Sequence, residues 1–561
     1  MKPKPGITFA LLSALVMFSA VSRAQLTVLN SNVPAGFGTL GYIEAATVDK
    51  AGGGTLTMNG VNMVVPANSI IQFPANTLAW ADLFDPTVST PVYDTAGVPM
   101  EPNLTIPAGT TGLALMDNPA QAAGLSPFLP FNANVLGNID FSNASHRYVV
   151  GLILPIDQDL GNVGAGVITF IDYAKGRFEV GGTLGTQGTG TVIEINDPTG
   201  RYGWAHSPDP RWSVDPDNPT VAAGDGYPMC IPRFAPPKLD ADCPLFNRPL
   251  NPSGTGQDPF FQVGAPLQVI NMPPSAKAGS TKPDPFKEAP LMVGDYVAYA
   301  GVTYKINPNA ALDPTVPLNQ QTYISANTIA ADKIAIYTAP CPTSAGNCAA
   351  TVGPAYVQLA RMVIGTGGNT NGINVLPNAT LGIVGGNIPL PEPRNNIVIV
   401  GFVTDSTQLV DIFAADFNPT TGAETDRLLG TVLPEPGVTV GGIGRGNKGR
   451  FRFDVGKGNF GNRTRIYGAV SHHGTRRASN QNHVGTIKPA LGLIAGKYHA
   501  PMFTFQFADA PPGFPIIPNN FDTMPFLVRG EGGPKNGLSA GPLNPFPPFC
   551  PVVSGTPTCQ P

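Results

Sequence analysis

The chain has 561 residues, of which 12% are charged and 42% hydrophobic, and its formal net charge is −4. This length exceeds what one hydrophobic core organises, so several domains are expected. A mildly acidic chain is expected to be a poor nucleic-acid binder, because neutralising phosphates requires a clustered positive surface.

The N-terminal residues 1–24 have the features of a signal peptide. Lys2 and Lys4 precede an apolar segment from Ile7 to Val21, and Ser22-Arg23-Ala24 forms a small-x-small cleavage site. The apolar segment is too short for a bilayer-spanning helix, and no later apolar run approaches ~18 residues. We therefore expect a secreted protein without a membrane span, located extracellularly, in the periplasm or at the cell surface.

The strand signals that follow are spread along most of the chain. The dipeptide Asn59-Gly60 lies between two alternating segments and predicts a type I′ hairpin. Residues 166–172 and 177–180 predict a second hairpin, and Ala300-Gly301 predicts a third between 293–299 and 302–306. The fold class expected is all-β, with several small barrels or sandwiches in tandem. By analogy they are of the oligonucleotide/oligosaccharide-binding (OB) style.

The six cysteines form three close-set pairs. Local disulfides are predicted because such pairs persist in an oxidising compartment. The pairs are Cys230 with Cys243, Cys341 with Cys348, and Cys550 with Cys559.

Two proline-rich segments interrupt the strands, because proline removes ladder hydrogen bonds from a central strand. Residues 228–290 are predicted to be a disulfide-stapled connector and residues 501–561 a C-terminal arm. The remaining β domains are expected at 25–125, 126–227, 291–360 and 361–500.

A four-residue motif recurs three times along the chain. The pattern Ala-Asn-Ser/Thr-Ile/Leu occurs at Ala67–Ile70, Ala75–Leu78 and Ala326–Ile329. Repetition of a small barrel and chance both account for it.

The segment Arg201–Trp212 contains two of the three tryptophans. Exposed aromatic rings beside charged side chains form a surface on which sugars stack. The candidate ligand-binding residues are Tyr202, Trp204, Arg211 and Trp212, with Arg201 alongside. Core packing under a loop is the alternative.

Two clusters have the side chains that metals prefer, one of aspartates and one of histidines, and the spacing of the histidines fits no recognised metal signature. Aspartates are frequent between residues 209 and 242, where Asp215, Asp217 and Asp225 offer hard oxygen ligands for calcium. Imidazoles that suit zinc or copper occur at His472, His473, His483 and His499. Aspartate in turns needs no metal. No cofactor is predicted, and calcium is kept as the alternative.

Catalytic and nucleotide-binding patterns occur in unsuitable contexts. Residues 537–541 match GxSxG, but no strand precedes the serine and no histidine follows it. Residues 444–449 match GxGxxG, but an alternating strand follows instead of a helix. The basic residues in 445–465 form a positive face that suits an anionic polymer, with a solvated sheet face as the alternative.

Several segments resemble a family of secreted β-rich proteins of fungi and some bacteria. They are Gly226-Tyr-Pro-Met-Cys230-Ile-Pro-Arg233, Cys243-Pro-Leu-Phe-Asn-Arg248-Pro249 and Pro518-Asn-Asn-Phe-Asp-Thr-Met-Pro-Phe-Leu527. The resemblance implies an extracellular architecture and pairing of Cys230 with Cys243. It implies no activity and no catalytic residues.

The function expected from these features is non-catalytic. The protein would be a structural or ligand-binding component that contacts an extracellular polysaccharide or another surface component. The alternative is an extracellular hydrolase that acts on a polymer, for which a close pair of buried carboxylates in a cleft would be the mark.

Overall fold

The computed structural model describes most of the chain between residues 35 and 506, and two short strands near the end. The described ranges are 35–67, 69–73, 77–84, 108–118, 131–140, 147–158, 162–198, 200–214, 219–236, 238–248, 268–274, 283–307, 310–340, 355–365, 373–376, 388–391, 396–417, 424–440, 443–446, 448–455, 464–471, 497–500, 504–506, 552–553 and 556–557.

The fold is all-β, and no helix of seven or more residues occurs in the described ranges. The strands are β1 Ala35–Val48, β2 Gly54–Met58, β3 Val61–Val65, β4 Ile70–Gln72, β5 Thr77–Ala79, β6 Phe131–Asp140, β7 Arg147–Gln158, β8 Val163–Asp172, β9 Arg177–Val180, β10 Thr191–Ile195, β11 Val221–Ala223, β12 Met229–Cys230, β13 Gln268–Asn271, β14 Ala289–Pro290, β15 Tyr296–Lys305, β16 Thr322–Ala331, β17 Ile334–Tyr337, β18 Val357–Gly365, β19 Ile373–Leu376, β20 Ile388–Pro391, β21 Asn396–Val403, β22 Val410–Phe417, β23 Glu424–Val432, β24 Val438–Val440, β25 Ile443–Gly446, β26 Arg450–Val455, β27 Thr464–Ser471, β28 Lys497–Ala500, β29 Thr504–Gln506, β30 Val552–Val553 and β31 Thr556–Pro557.

Short 3-10 helices lie between some of these strands. They are Trp80–Phe84, Pro210–Trp212, Leu245–Asn247 and Leu318–Gln320. None of the described helices is long and apolar enough to cross a membrane.

The first barrel consists of β1, β2, β3, β6 and β7. Antiparallel pairing joins the strands in the order β3-β2-β1-β6-β7, and a parallel pairing of β3 with β7 closes the ring. Alternation places Leu56, Met63 and Val135 inside, where Trp80 packs with them in one core. The Trp80 indole N–H donates to the Thr47 carbonyl at 2.9 Å, so the buried ring has its polar partner.

The second barrel consists of β8, β9, β10, β15 and β16. Its strands join in the order β10-β9-β8-β15-β16, and a parallel pairing of β10 with β16 closes this ring too. Residues 196–295 form an insertion between its third and fourth strands. This insertion contains the proline-rich segment 228–290 and the candidate ligand-binding and calcium-binding residues.

The two barrels repeat one topology. In each, the third and fifth strands are parallel and the fifth lies beside the fourth, which is the strand order of an OB fold. In each, a short extra strand pairs with the fifth strand beyond the third: β4 with β7, and β11 with β16. The repeat is therefore real at the level of strand order and pairing.

The recurring motif Ala-Asn-Ser/Thr-Ile/Leu does not correspond to this structural repeat. Ala67–Ile70 runs into β4, whereas Ala326–Ile329 lies within β16. These elements occupy different places in their barrels.

The third unit contains two four-stranded sheets. Their orders are β26-β21-β18-β29 and β23-β22-β27-β28. Ile399, Val410 and Phe451 belong to the same buried cluster as the interior of the second barrel.

Two of the three predicted hairpins are confirmed. Asn59 and Gly60 have φ of 52° and 71° and connect β2 to β3. Residues 173–176 connect β8 to β9. The third prediction is wrong, because β15 runs through Ala300 and Gly301 with a bulge and no turn.

The structure divides the chain differently from the predicted domains. The pairing of β1 with β6 places residues on both sides of position 125 in one barrel. The strands of the second barrel lie on both sides of the predicted connector 228–290. Its described parts are also packed, since Met229, Ile231 and Ala289 belong to a buried core. The proline-rich segment 501–561 lies almost entirely outside the described ranges.

One predicted disulfide is present. Cys230 and Cys243 are bonded, with their Cα atoms 5.9 Å apart. The pairs Cys341/Cys348 and Cys550/Cys559 lie outside the described residues.

Candidate functional site

The segment Arg201–Trp212 does not form an exposed platform. Tyr202 is 0% exposed and Trp212 1% exposed, and Arg201 and Arg211 are also buried. Trp212 belongs to the insertion of the second barrel, and its side chain lies in the core of the first barrel. Its ring stacks on Phe131 at a centroid distance of 5.2 Å and meets Phe73 edge-on at 4.9 Å. At Trp212 the structure therefore agrees with the alternative prediction, which was core packing under a loop.

Arg211 has a matching structural role. Its guanidinium pairs with both carboxylate oxygens of Asp209, at 2.6 to 3.0 Å. It also donates to the carbonyls of Thr111 at 2.6 Å and Leu83 at 3.3 Å, both in the first barrel. A buried guanidinium with these partners fastens two barrels together and has no surface left for a ligand.

A second buried cluster lies on the outside of β9 and β10. The Arg177 Nε donates to Glu194 at 2.6 Å, and His206 Nδ1 contacts the other oxygen of the same carboxylate. The Arg177 guanidinium lies 4.6 Å above the Tyr323 ring. Burial, and then the positive charge of Arg177, lower the pKa of His206 to about 3. His206 is therefore neutral at physiological pH, and because Arg177, Glu194 and His206 are all buried, a substrate does not reach it.

Two buried carboxylates, Asp225 and Glu288, act electrostatically on Tyr227. Burial, followed by the charge of Asp284, raises the pKa of Tyr227 well above its usual value, and Glu288 and Asp225 add to this. Asp225 and Glu288 are themselves buried. Since neither carboxylate reaches solvent, this pair does not supply the site that the hydrolase alternative requires.

The metal predictions find no support in the described ranges. Asp225 accepts the Ile336 N–H at 3.0 Å, and Asp240 and Asp242 pair with Arg233 at 3.1 Å each. No group of three or more metal-ligating side chains occurs among the residues that the structure describes. Asp215, Asp217, His472, His473 and His483 lie outside them, as does the side chain of His499.

The predicted basic face is only partly described. The Lys448 ammonium lies 3.9 Å from the centre of the Tyr337 ring. Arg450 and Arg452 lie on one face of β26, opposite Phe402 and Val400. The GxSxG residues 537–541 lie outside the described ranges.

An open polar surface lies on the outside of the first barrel, on β1, β2, β3 and β6. We call it the open face. Its outward side chains are Leu40, Tyr42, Thr47, Thr55, Thr57, Asn62, Val64, Asn132 and Asn134. Leu40 is 69% and Tyr42 43% exposed. Cross-strand pairing places Tyr42 opposite Asn132 and Leu40 opposite Asn134.

Hydroxyl and amide groups dominate the open face. Thr47 and Thr55 hydroxyls are 2.6 Å apart across β1 and β2, and the Thr57 hydroxyl donates to Asn62 across the hairpin at 2.5 Å. The sequences of β1, β2 and β3 contain one charged residue, Glu44. Its carboxylate accepts the Gly60 N–H at 3.0 Å and so stabilises the hairpin turn.

The equivalent face of the second barrel is covered by its own chain. The parallel registers make Thr55 and Val64 the counterparts of Arg177 and Glu194, which are buried. The neighbouring Glu179 carboxylate accepts the N–H groups of Gly188 at 2.6 Å and Gly190 at 2.9 Å. On strands two and three of the two matching faces, only the side chains of the first barrel are exposed.

The small cavity inside the first barrel offers no alternative ligand site. Its volume is about 10 Å³, which is room for at most one water molecule. Its lining includes Ile43, Leu56, Trp80 and Ile153.

Sequence analysis did not select the open face. The signal is the alternation in β2 and β3, where Thr55, Thr57 and Asn62 point away from the core. It is weak because threonine and asparagine on a sheet surface need no function.

Comparisons of the chain with protein-family models, with curated proteins and with solved structures found no match.

Proposed function

We propose that this protein is an exported, non-catalytic binding protein that holds an uncharged polysaccharide on the open face of its first barrel. The observation that carries the proposal is the contrast between two matching barrels. One has a covered outer face with buried charged side chains. The other has an exposed face with an aromatic ring, and Glu44 is the one charged residue in its first three strands. In OB barrels the face of strands two and three is where oligosaccharides and oligonucleotides bind.

The chemistry of the open face favours a neutral sugar polymer. The Tyr42 ring offers an apolar surface for the C–H face of a pyranose. Threonine hydroxyls and asparagine amides both donate and accept hydrogen bonds, as sugar hydroxyls do. A nucleic acid would need lysine or arginine on this surface to neutralise its phosphates, and β1, β2 and β3 contain neither.

Binding of the purified protein to neutral and charged polysaccharides tests the proposal. We expect retention by at least one neutral polymer, such as a β-glucan, chitin or mannan, with little dependence on salt. Replacement of Tyr42 by alanine should weaken that binding about tenfold, which corresponds to ~1.4 kcal/mol, because the stacking surface is lost. The melting temperature should change little, because the side chain is 43% exposed.

Val163→Ala is the matched control, since Val163 is 51% exposed on the second barrel. Its binding should equal that of the unmodified protein. Equal binding by Tyr42→Ala, or binding to charged polymers alone, would remove the open face as the site.

A further inference from the structure

The loop closed by the disulfide, residues 231–242, is held firmly at its base. Cys230 and Cys243 are buried. Arg233 donates to the carbonyls of Gly203 at 3.0 Å and Gly200 at 3.2 Å. It also pairs with Asp240 and Asp242, at 3.1 Å each. Bonds at both ends and in the middle fix the path of this loop.

The same loop displays an apolar and cationic tip. Ala235, Pro236, Lys238 and Leu239 are exposed, Leu239 by 41%. The Lys238 ammonium lies 3.6 Å from the centre of the Phe234 ring. The Trp204 ring meets Phe234 edge-on at 6.4 Å, and its indole N–H donates to the Tyr173 carbonyl at 2.9 Å. Trp204 is thus the predicted platform residue that remains near the surface.

The charged side chains of this loop differ in whether they form ion pairs. Arg233 pairs with both Asp240 and Asp242, and Lys287, 3.6 Å from Asp242, supplies the second positive charge that balances the two carboxylates. Lys238 makes no salt bridge with a carboxylate in the described part of the chain. The loop therefore presents one positive charge, placed by an aromatic ring, beside two half-buried rings.

We propose that this tip, formed by Trp204, Phe234 and Lys238, binds a polysaccharide that bears carboxylates, such as a polyuronate. Lys238 pairs with the carboxylate of a uronate residue, and the aromatic rings contact the C–H face of the same or the next sugar. The site is distinct from the open face, carries the opposite preference for charge, and does not depend on it.

The test compares binding to polygalacturonate with binding to its methyl-esterified form, which keeps the sugar ring and removes the charge. We expect the acid form to bind at low salt, with binding reduced at least fivefold between 50 and 200 mM salt or on esterification. Lys238→Gln should lose at least fivefold in affinity for the acid form. Lys333→Gln, at an exposed turn, is the matched control and should bind normally.

Phe234→Leu separates the role of the ring from that of the charge. It should weaken binding of both polymer forms while a melting curve confirms the fold. Equal binding of the acid and esterified forms, or unchanged binding by Lys238→Gln, would overturn the proposal. So would binding to anionic lipid vesicles without binding to polygalacturonate. Equal binding of neutral polymers by Tyr42→Ala, with these results unchanged, would remove the open face and leave this site standing alone.

Discussion

Trp212 shows how one residue changes the meaning of a sequence motif. Two tryptophans eight positions apart, among charged residues, are typical of a sugar-binding surface as well as of a core. Residue type alone does not separate these two cases, because the partner of Trp212 is Phe131, which lies far away in the sequence and in another barrel. Contacts between residues that are distant in the sequence therefore determine whether such a tryptophan lies on a surface or in a core.

Replacement of Trp212 by alanine should therefore destabilise the protein by ~3 to 5 kcal/mol, through lost apolar burial and a cavity between Phe73 and Phe131. Trp212→Phe, which keeps a ring, should cost less than half as much. Denaturant unfolding measures both. Met116, which is 80% exposed, supplies the control substitution to alanine. A loss below ~1 kcal/mol for Trp212→Ala would contradict core packing.

His206 gives the protein a calculable dependence on pH. Its pKa is about 3 in the folded state, because of burial and Arg177, against ~6.5 when unfolded. As pH falls below ~6.5, the unfolded state gains a proton that the folded state does not, so stability decreases until about pH 3. The full contribution is on the order of 5 kcal/mol.

Comparison of the native protein with His206→Gln isolates this effect, since the other titrating groups are common to both. The free energy of unfolding should fall more steeply with acidification between about pH 6.5 and 4 in the native protein. Parallel curves would mean that the pKa of His206 is the same in the folded and unfolded states. A shallower fall in the native protein than in His206→Gln would mean that pairing with Glu194 raises that pKa on folding.

At the level of elements, local patterns predicted strands well and their connections less well. The Asn59-Gly60 hairpin is confirmed because both residues supply the positive φ that a type I′ turn needs. The hairpin predicted at Ala300-Gly301 was wrong, because a glycine in a strand pattern indicates either a turn or a bulge. The open face was not predicted, because exposure of a sheet depends on what the rest of the chain covers.

The bulge at Gly301 has a steric cause that a substitution can test. A Cβ atom at this position would lie 2.3 Å from the Ser325 carbonyl oxygen on the neighbouring strand. Gly301→Ala should cost about 1 to 3 kcal/mol by forcing β15 and β16 apart. Gly185 has a φ of 76°, and a Cβ atom added there would have no other atom within 4 Å. Gly185→Ala should cost about 1 kcal/mol from backbone strain alone. Equal thermal shifts in the two variants would argue against the close approach.

At the level of the whole molecule, the insertion in the second barrel joins it to the first. The Asn196 N–H holds the insertion to the second barrel by donating to the Ala326 carbonyl of β16 at 2.8 Å. Trp212 and Arg211 hold it to the first. Sequence analysis predicted separate domains because each barrel has its own hairpins, whereas the physical unit includes a segment that crosses between them.

This connection predicts that the two barrels unfold together. In native-state hydrogen exchange, the slowest amides of β2 and of β10 should report one common opening free energy.

Arg211→Ala should cost about 3 to 5 kcal/mol, because it leaves the Asp209 carboxylate buried without its partner. The double variant Asp209→Ala/Arg211→Ala should recover part of that loss, since the uncompensated charge is gone, but not the hydrogen bonds to Thr111 and Leu83. Its two barrels should therefore exchange with separate free energies, and different free energies already present in the unmodified protein would show that the insertion does not couple them.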